Sequence, residues 1–360
     1  MNFEKVLTTH SEEASGKNND FRNILLACLG VLVLIIGIGI YLFKLFNAGY
    51  YLKIATNFIY PPVNKLASQD GRTNILIMGI GDAGHDGEDL TDTMLVASVS
   101  LTKPSLVIIS VPRDLWIPEI RAKINAAYYW GDKNTPYFSN DNFPGGKIGF
   151  AKSITQEALG TPINYGVVLD FSAFEKIIND IGGIEVNVEN SFMDNFYPIT
   201  GRENDTCNGD PLLLCRYETI IFNKGLQHMD GATALKFVRS RHAEGVEGGD
   251  LAREARQQKV IDAIGQKILT RKVLLNPQTD LKLWKDLNNS LTRDIDDPTA
   301  AILARLLFNS RNSINRNIIP DGLLFAPPIS KIYDRQEVLI PAAGSGKGDA
   351  IHAWVSQVLK

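Results

Sequence analysis

A run of twenty residues without a charged side chain, at 24–43, restricts the fold of this chain more than any other feature. A helix of that length spans roughly 30 Å, which is the thickness of the hydrocarbon core of a bilayer. The apolar core of a cleaved signal peptide is shorter, at about 7–15 residues, and no Ala-x-Ala cleavage site follows this run. We therefore predict a transmembrane signal anchor at 23–43, preceded by a cytoplasmic tail at 1–22.

Two cysteines indicate on which side of the membrane the rest of the chain lies, because the flanking Lys and Arg residues do not orient the anchor. Cys207 and Cys215 bracket the short segment CNGDPLLLC. Cysteines around a small loop, downstream of a signal anchor, favour a disulfide bond of about 2–3 kcal/mol in an oxidising compartment. The alternative is a pair of free thiols in the cytosol. We favour the disulfide, and therefore an extracytoplasmic domain on a single-pass protein of the cell membrane.

Beyond a predicted juxtamembrane stem at 44–71, residues 72–360 alternate between strand-like and helix-like segments. Short apolar runs predict strands at 74–79, 93–100, 106–111, 165–169, 184–188 and 337–340. Apolar residues spaced by three and four predict helices at 148–159, 171–181, 232–238, 251–269, 298–309 and 349–359. This mixture predicts an α/β fold, an α-β-α sandwich with a central mixed sheet, preceded by one N-terminal transmembrane helix. Two polar segments rich in Asn, Gly and Pro, at 130–146 and 193–224, are predicted to be surface loops.

Guanidinium groups are concentrated in the segment 237–257, although the whole chain has a formal charge of −3. The near-neutral charge argues against nucleic acid as a partner, since nucleic-acid binding needs a basic face. A local group of arginines is instead suited to a phosphate, because each guanidinium can donate paired hydrogen bonds to phosphate oxygens. The members of this group are Arg239, Arg241, Arg253 and Arg256.

The helix predicted after Asp250, a plausible N-cap, carries polar residues on its apolar stripe. Arg253, Arg256 and Gln257 continue the spacing of three and four that leads to Val260. An apolar stripe faces the core, so these polar residues point towards the interior or a cleft. An anion would offset the cost of burying arginines at a helix N-terminus, and the helix dipole favours an anion there. The alternative is a structural network of salt bridges with neighbouring acids.

Acidic residues follow the first predicted strand, in the segment GIGDAGHDGEDLTDT at 79–93. Clustered carboxylates at strand ends can bind Mg²⁺, which prefers oxygen ligands and the company of phosphates, although an ordinary solvated loop has a similar composition. The carboxylates are Asp82, Asp86, Glu88, Asp89 and Asp92.

Two further basic residues lie near predicted strand ends. Arg113 follows the strand at 106–111, in the kind of position where ligand crevices open in α/β sheets. Considered alone, it is better explained by a surface ion pair with Asp114. Lys123 is a lone lysine, and considered alone it likewise does not indicate a ligand site.

Several short motifs occur in order along the chain. They are GIGD, TDTMLVASV, IISVPRD, KINAAY, NYGVVLDFSAF, MDGATALKFVRSRH and D-x-x-R-x-x-RQQ. As a series, from about residue 73 to residue 269, they resemble the LytR-CpsA-Psr family of membrane-anchored cell-wall proteins.

The resemblance implies an extracytoplasmic phosphotransferase that moves a glycopolymer from a polyprenyl-pyrophosphate carrier onto a peptidoglycan hydroxyl, with Mg²⁺ as cofactor. Family members also enclose the prenyl chain in an apolar pocket. The resemblance places the metal at Asp82 and Asp92, and it implies catalytic roles for these two residues, Arg113 and Asp250. It implies pyrophosphate binding by Arg113, Lys123, Arg239, Arg241, Arg253, Arg256 and Gln257.

The sequence departs from the family pattern at one position. The family usually has Arg-Ser-Asp-Thr before the second strand, whereas this chain has Leu90, Thr91, Asp92 and Thr93. The acid is kept, but one phosphate-binding arginine is lost, which would reduce the rate or shift substrate preference.

Two other functions are compatible with the same residues. One is a pyrophosphatase that hydrolyses the lipid pyrophosphate, with water in place of the sugar hydroxyl. The other is a non-catalytic cell-envelope protein that binds polyanions and has a regulatory role, for which Leu90 would be a sign of lost activity.

Overall fold

The computed structural model describes residues 48–81, 89–132, 143–268 and 291–360. The transmembrane anchor predicted at 23–43 lies outside these ranges. The chain divides into two compact units between Pro61 and Pro62. In the first unit, the described part forms helix α1, Ala48–Ile59, which lies within the predicted stem. No helix in the described ranges is both long enough and apolar enough to cross a bilayer.

Strands and helices alternate along the second unit. Its strands are β1 Arg72–Ile80, β2 Thr91–Ser100, β3 Leu106–Ser110, β4 Trp116–Ile117, β5 Ala122–Lys123, β6 Tyr165–Leu169, β7 Ile184–Val188, β8 Phe192–Pro198, β9 Tyr217–Phe222, β10 Gly225–Met229, β11 Leu291–Arg293, β12 Ile314–Ile318, β13 Leu324–Phe325 and β14 Ile340–Pro341. Its helices are α2 Ala127–Trp130, α3 Gly146–Leu159, α4 Phe171–Asp180, α5 Gly231–Arg239, α6 Gly249–Ile268, α7 Asp297–Ser310 and α8 Asp349–Val358.

Six of these strands form a central mixed sheet in the order β11-β6-β1-β2-β3-β12. The pairs β1–β6 and β3–β12 are parallel, and the other neighbouring pairs are antiparallel. The α/β fold with a central mixed sheet, predicted from the sequence, is therefore confirmed.

Helices cover both faces of the sheet. Successive side chains of a strand point to opposite faces, so β1 contributes Leu76 to one core and Ile75 to the other. The first core contains Ile154 of α3 and Val355 of α8. The second contains Ile302 of α7. Burial on both faces explains why the central strands appear in the sequence as continuous apolar runs.

A third cluster of buried side chains lies outside these two layers. It joins helices α4, α5 and α6 to strands β7–β10, with Ile178, Ile184, Phe237 and Val260 among its members. This cluster carries helices α5 and α6, on which the arginine-rich segment depends for its position.

The prediction of a surface loop at 193–224 is wrong, because β8 and β9 form an antiparallel hairpin there. The inward side chains of β8 include Asp194 and Tyr197, which are buried. The polar residues that indicated a loop lie mainly in the connection between its strands. Within that connection, Cys207 and Cys215 form a disulfide bond, and their Cα atoms are 5.5 Å apart.

Two element boundaries also differ from the sequence predictions. Helix α6 begins at Gly249, so Asp250 lies inside its first turn and is not the N-cap. The strand predicted at 337–340 is shorter and later, because only Ile340–Pro341 pairs with β13. In both cases irregular backbone precedes the element, and the spacing of apolar residues does not show at which residue the element begins.

Candidate active site

Two neighbouring strands and the segment after helix α5 bring one carboxylate and two guanidinium groups together. Asp92 lies on β2, and Arg113 follows β3, which is the antiparallel partner of β2. Arg241 follows α5, whose N-cap Asp230 accepts a hydrogen bond from the backbone N–H of Thr233 at 2.8 Å. Arg113 Nη1 and Arg241 Nη2 lie 3.1 and 3.0 Å from the same oxygen, Asp92 Oδ1. We call these three residues the Asp92 cluster.

Asp92 lines two cavities, with volumes of about 460 and 180 Å³. Arg253 and Gln257 line both cavities as well. These two residues are four positions apart on α6, so they share one face of the helix, and that face is the inward one predicted from helical phase. We call the larger space the apolar cavity, because hydrophobic side chains form most of its wall. They include Ile77, Leu169, Phe174, Leu235, Val260 and Ile264.

The Asp92 cluster and the apolar cavity together resemble a ligand site with one polar end and one apolar end. Polar groups converge at one place, while a concave apolar space of ordinary ligand-pocket size adjoins it. Arg253 is only 6% exposed, yet it belongs to the lining of both cavities. The arrangement can therefore hold an anionic head at the Asp92 cluster and an apolar tail beyond it.

Arg239, at the end of α5, is part of the apolar cavity and is held there by aromatic rings. Its guanidinium carbon lies 4.2 Å from the centre of the Phe171 ring and 5.7 Å from that of Tyr197. Arg239 Nη1 also donates to the hydroxyl of Tyr197 at 3.4 Å. Burial raises the pKa of Tyr197, and the nearby Arg239 opposes part of that rise, so the phenol stays neutral.

Arg256 does not face either cavity, which corrects its predicted place among the pyrophosphate-binding residues. Its side chain is 1% exposed and stacks 4.9 Å from the ring of Phe192. Nε donates to the carbonyl of Phe237 at 2.9 Å, and Nη2 donates to that of Ser240 at 2.5 Å. Nη1 donates to the carbonyl and the carboxylate of Glu247 at 2.7 and 3.1 Å. The guanidinium is thus bonded to protein acceptors, as the structural alternative in the sequence analysis predicts.

Lys123 is linked to the site indirectly, by the carboxylate of Asp114. Its Nζ donates to Asp114 Oδ1 at 2.6 Å, and Arg113 Nε lies 3.5 Å from Asp114 Oδ2. Asp114 thus connects Lys123 to the Asp92 cluster. In the described part of the chain, the linings of the two cavities contain Asp114 but not Lys123.

The predicted metal ligands are only partly within the described ranges. Asp82 lies outside them, and the side chain of Asp250 is likewise not described. Asp92 binds both arginines through Oδ1, which leaves Oδ2 outside both of those bonds. A carboxylate oxygen of this kind fits Mg²⁺, because this ion prefers oxygen ligands and is commonly bound by one or two carboxylates together with substrate phosphates.

The sequence model described as the LytR_cpsA_psr family matches residues 53–320, which is more than half of the chain. The chain belongs to the LytR-CpsA-Psr family. The Asp92 cluster, Arg239, Arg253 and Gln257 all lie within the matched region, so the geometry described above belongs to the part of the chain that defines the family.

Two teichoic acid transferases are similar to this chain. The polyisoprenyl-teichoic acid–peptidoglycan teichoic acid transferase TagV of Bacillus subtilis is 28% identical over 198 residues, covering 53% of this chain and 42% of that protein. The transferase TagU of Enterococcus faecalis, of the same description, is 26% identical over 219 residues, or 59% of each chain. The chain thus matches less than two thirds of the length of these relatives.

A solved structure agrees with the fold. The crystal structure of Bacillus subtilis TagV matches with a TM-score of 0.54 and 20% sequence identity. The match covers 81% of this chain and 98% of the TagV chain. The α/β architecture is therefore shared with a LytR-CpsA-Psr structure over most of the second unit.

Leu90 stands at the position where the family resemblance predicts an arginine. It directly precedes β2, two residues before Asp92, and it is 38% exposed. A side chain with that exposure is not part of the packed core, so the position can accept a longer residue without repacking its surroundings.

Three residues at the site are not identified in the sequence. They are Phe171, Asp194 and Tyr197. Asp114 pairs with Arg113, as the sequence predicts, with 3.5 Å between Oδ2 and Nε. A signal for Asp194 was present, because it lies two residues after Phe192, whereas the alternation is broken before Tyr197 by an irregular register between Asp194 and Tyr197. Strand periodicity would have placed Asp194 on the same face as Phe192, and thus indicated a buried carboxylate.

Proposed function

We propose that this protein is a membrane-anchored phosphotransferase that moves a glycopolymer from a polyprenyl-pyrophosphate carrier to a sugar hydroxyl of peptidoglycan. One observation carries the proposal: Asp92, Arg241 and the buried Arg253 line the apolar cavity, and Arg113 is bonded to the same Asp92. A lipid pyrophosphate has the same division into a charged head and an apolar tail. The transferase names of TagV and TagU support this substrate class.

The arginines supply electrostatic stabilisation. Arg113, Arg241 and Arg253 hold the pyrophosphate oxygens, on which negative charge increases as the bridging oxygen departs. Arg113 and Arg241 are already fixed on Asp92, so little reorganisation is needed when the substrate binds. Gln257 adds a neutral donor on the same helical face as Arg253.

The apolar cavity takes the start of the prenyl chain. Phe174, Leu235 and Ile264 are part of its wall, and an isoprenoid has no polar group that would need a partner there. Removal of apolar surface from water contributes roughly 25 cal/mol per Å², so the chain contributes affinity while the arginines act on the reacting phosphate.

The reaction is a displacement at phosphorus. The acceptor hydroxyl oxygen attacks the phosphorus that bears the glycopolymer, a new P–O bond forms, and the bond to the bridging oxygen breaks. Polyprenyl phosphate leaves, and the hydroxyl proton passes to a carboxylate. Asp250 is one acceptor for it; Asp92 is the other candidate, through Oδ2, when that oxygen is not bound to Mg²⁺.

Mg²⁺ bound by Asp92, together with the predicted ligand Asp82, would neutralise charge on the pyrophosphate. The predicted anchor at 23–43 would keep the domain on the outer side of the cell membrane, where a lipid-linked donor is found.

The proposal is tested with the full chain in phospholipid vesicles. A polyprenyl-pyrophosphate-linked oligosaccharide is supplied as donor and peptidoglycan fragments as acceptor, with Mg²⁺ present. We expect a phosphodiester-linked product, and Arg241→Ala should lower kcat by about 10²–10³-fold because it removes a preorganised donor to the transition state. Arg311→Ala is the matched control, since Arg311 is an exposed arginine at the end of α7.

Other outcomes of this assay would contradict the proposal in distinguishable ways. Release of the phosphorylated sugar at the same rate without acceptor would identify a pyrophosphatase. Binding of the donor with no turnover by the wild-type chain would identify a non-catalytic polyanion-binding protein.

A further inference from the structure

Asp194 is a buried carboxylate that the proposed mechanism does not use. It lies on β8 and is 0% exposed. Ser240 Oγ donates to its Oδ2 at 2.7 Å, and the backbone N–H groups of Arg241 and His242 donate to the same oxygen at 3.2 and 3.1 Å. The N–H of Phe196 donates to Oδ1 at 2.9 Å. Both oxygens of this carboxylate are therefore bonded to protein donors.

Three of these four donors belong to consecutive residues, 240–242, which follow helix α5. We call this segment the arginine loop. Its carbonyl at Ser240 also accepts the bond from Arg256 Nη2 at 2.5 Å, and Asp194 pairs with Ala243 in an isolated β-bridge. Asp194 thus holds the backbone of the arginine loop through its N–H groups, and Arg256 holds it through a carbonyl.

A fixed backbone matters here because of what the loop carries. Arg241 extends from the loop to Asp92 Oδ1, at 3.0 Å, and it takes part in the lining of the apolar cavity. A long side chain keeps one geometry only when its own backbone is fixed. A misplacement of about 1 Å in a catalytic group can lower the rate by roughly 10²-fold.

The same strand also supports the neighbouring arginine. Tyr197, three residues after Asp194 on β8, bonds Arg239 through its hydroxyl at 3.4 Å. Strand β8 therefore supports Arg241 through a backbone and Arg239 through a side chain, so it acts as one rigid support for this wall of the site.

We propose that Asp194 is a positioning residue that places Arg241 on the pyrophosphate by fixing the backbone of the arginine loop. This inference rests on the proposed function, because it assumes that Arg241 binds the reacting phosphate. Asp194 is also part of the lining of the apolar cavity, but both of its oxygens are bonded to protein donors, so it acts through Arg241 and not on the substrate.

A role for Asp194 as general base fits the structure less well. Burial raises the pKa of Asp194, but the bonds from Ser240, Phe196, His242 and Arg241 outweigh burial and lower the pKa below its usual value of 3.8. A carboxylate with a lowered pKa is a weak base, so it suits a fixed acceptor better than a proton carrier.

A double-mutant cycle separates positioning from general stabilisation. Asp194→Ala and Arg241→Ala are made singly and together in the full chain, and kcat/KM for transfer is measured in vesicles. We expect Asp194→Ala to lower kcat/KM by about 10²-fold in the wild-type background and by less than about 3-fold when Arg241 is already absent. If the two residues acted independently, Asp194→Ala would lower kcat/KM by the same factor whether or not Arg241 is present.

Two further variants keep the test decisive if Asp194→Ala folds poorly. Asp194→Asn retains one oxygen for the three donors of the arginine loop and loses only the acceptor for Phe196, so we expect kcat/KM within about tenfold of wild type. Asp294→Asn is the matched control: Asp294 accepts a hydrogen bond from the N–H of Gly166 at 2.6 Å, and we expect its kcat/KM to be unchanged.

Binding measurements distinguish failure of this inference from failure of the proposed function. The wild-type chain, Asp194→Ala, Arg241→Ala and the double variant are titrated with farnesyl pyrophosphate, and their Kd values form a second cycle. If no variant transfers glycopolymer, the proposed function fails, while coupling of about tenfold or more in Kd still supports the positioning role. The positioning role would be overturned if the fold-loss of the double variant equals the product of the fold-losses of the two single variants. The comparison uses kcat/KM where there is turnover and Kd otherwise.

Discussion

Replacement of Arg256 tests the conclusion that this residue stabilises the structure and does not bind the ligand. Its guanidinium makes four hydrogen bonds, to the carbonyls of Phe237, Ser240 and Glu247 and to the Glu247 carboxylate. Arg256→Ala leaves these acceptors without their donor. Because the side chain is 1% exposed, water does not readily replace the lost bonds.

The magnitude follows from burial. Removal of one partner of a buried ion pair costs about 3–5 kcal/mol, and a single hydrogen bond to a charged group contributes about 1.5–3 kcal/mol. These contributions are not additive, so we expect Arg256→Ala to lower the free energy of unfolding by about 4 kcal/mol. Burial itself lowers the pKa of Arg256, and the bond and charge of Glu247 oppose this effect, so the group stays protonated.

The assay is urea unfolding of the full chain in detergent, followed by tryptophan fluorescence. Arg311→Ala is the matched control, because Arg311 also donates to a backbone carbonyl, that of Phe308 at 2.8 Å, and lies 4.2 Å from an aromatic ring centre. It differs in being exposed, so its replacement should cost less than about 1 kcal/mol. Equal losses for the two variants would refute the argument that burial gives Arg256 its effect.

Three other outcomes follow from the structure. Leu90→Arg should raise the transfer rate by about tenfold with stability within about 0.5 kcal/mol of wild type, as measured by vesicle assay and urea unfolding, because the position is exposed. Replacing Cys207 and Cys215 by Ser should lower the free energy of unfolding by about 2.5 kcal/mol, the chain-entropy value for so short a loop, without an effect on kcat. Asp194 has a lowered pKa, so its contribution to stability is complete well above pH 3.8 and is lost as the pH falls through 3.8 and then the folded pKa. Asp194→Asn should therefore flatten the acid limb of a stability–pH curve; an unchanged limb would contradict the lowered pKa.

The central strands and most helices could be predicted because their signals are local. Buried strands such as β1 and β3 appear as short apolar runs, and α4 shows apolar residues at spacings of three and four. The hairpin of β8 and β9 was missed because its long connection is polar and because apolar side chains such as Met193, Phe196 and Ile221 are exposed on its outer face, which weakens the alternation within each strand.

The residue types at the candidate site were predictable, but their division of roles was not. Arg253 and Arg256 are three positions apart, and helical phase placed both on the inward stripe of α6. The structure separates them: Arg253 lines both cavities, while Arg256 is bonded to Phe237, Ser240 and Glu247. Helical phase specifies a direction, but the group that a side chain meets depends on neighbouring elements.

The chain order of its motifs was enough to indicate the family, while the apolar run at 24–43 predicts a membrane anchor and the arginine segment predicts phosphate chemistry, since each of these depends on residue type and local spacing. The contact between Asp92 and Arg241 is different in kind, because it joins residues 149 positions apart. It exists because the loop after α5, whose backbone is bonded to Asp194 on β8, lies beside β2 in the tertiary structure. Such contacts depend on long-range packing, which no short segment of the sequence specifies by itself.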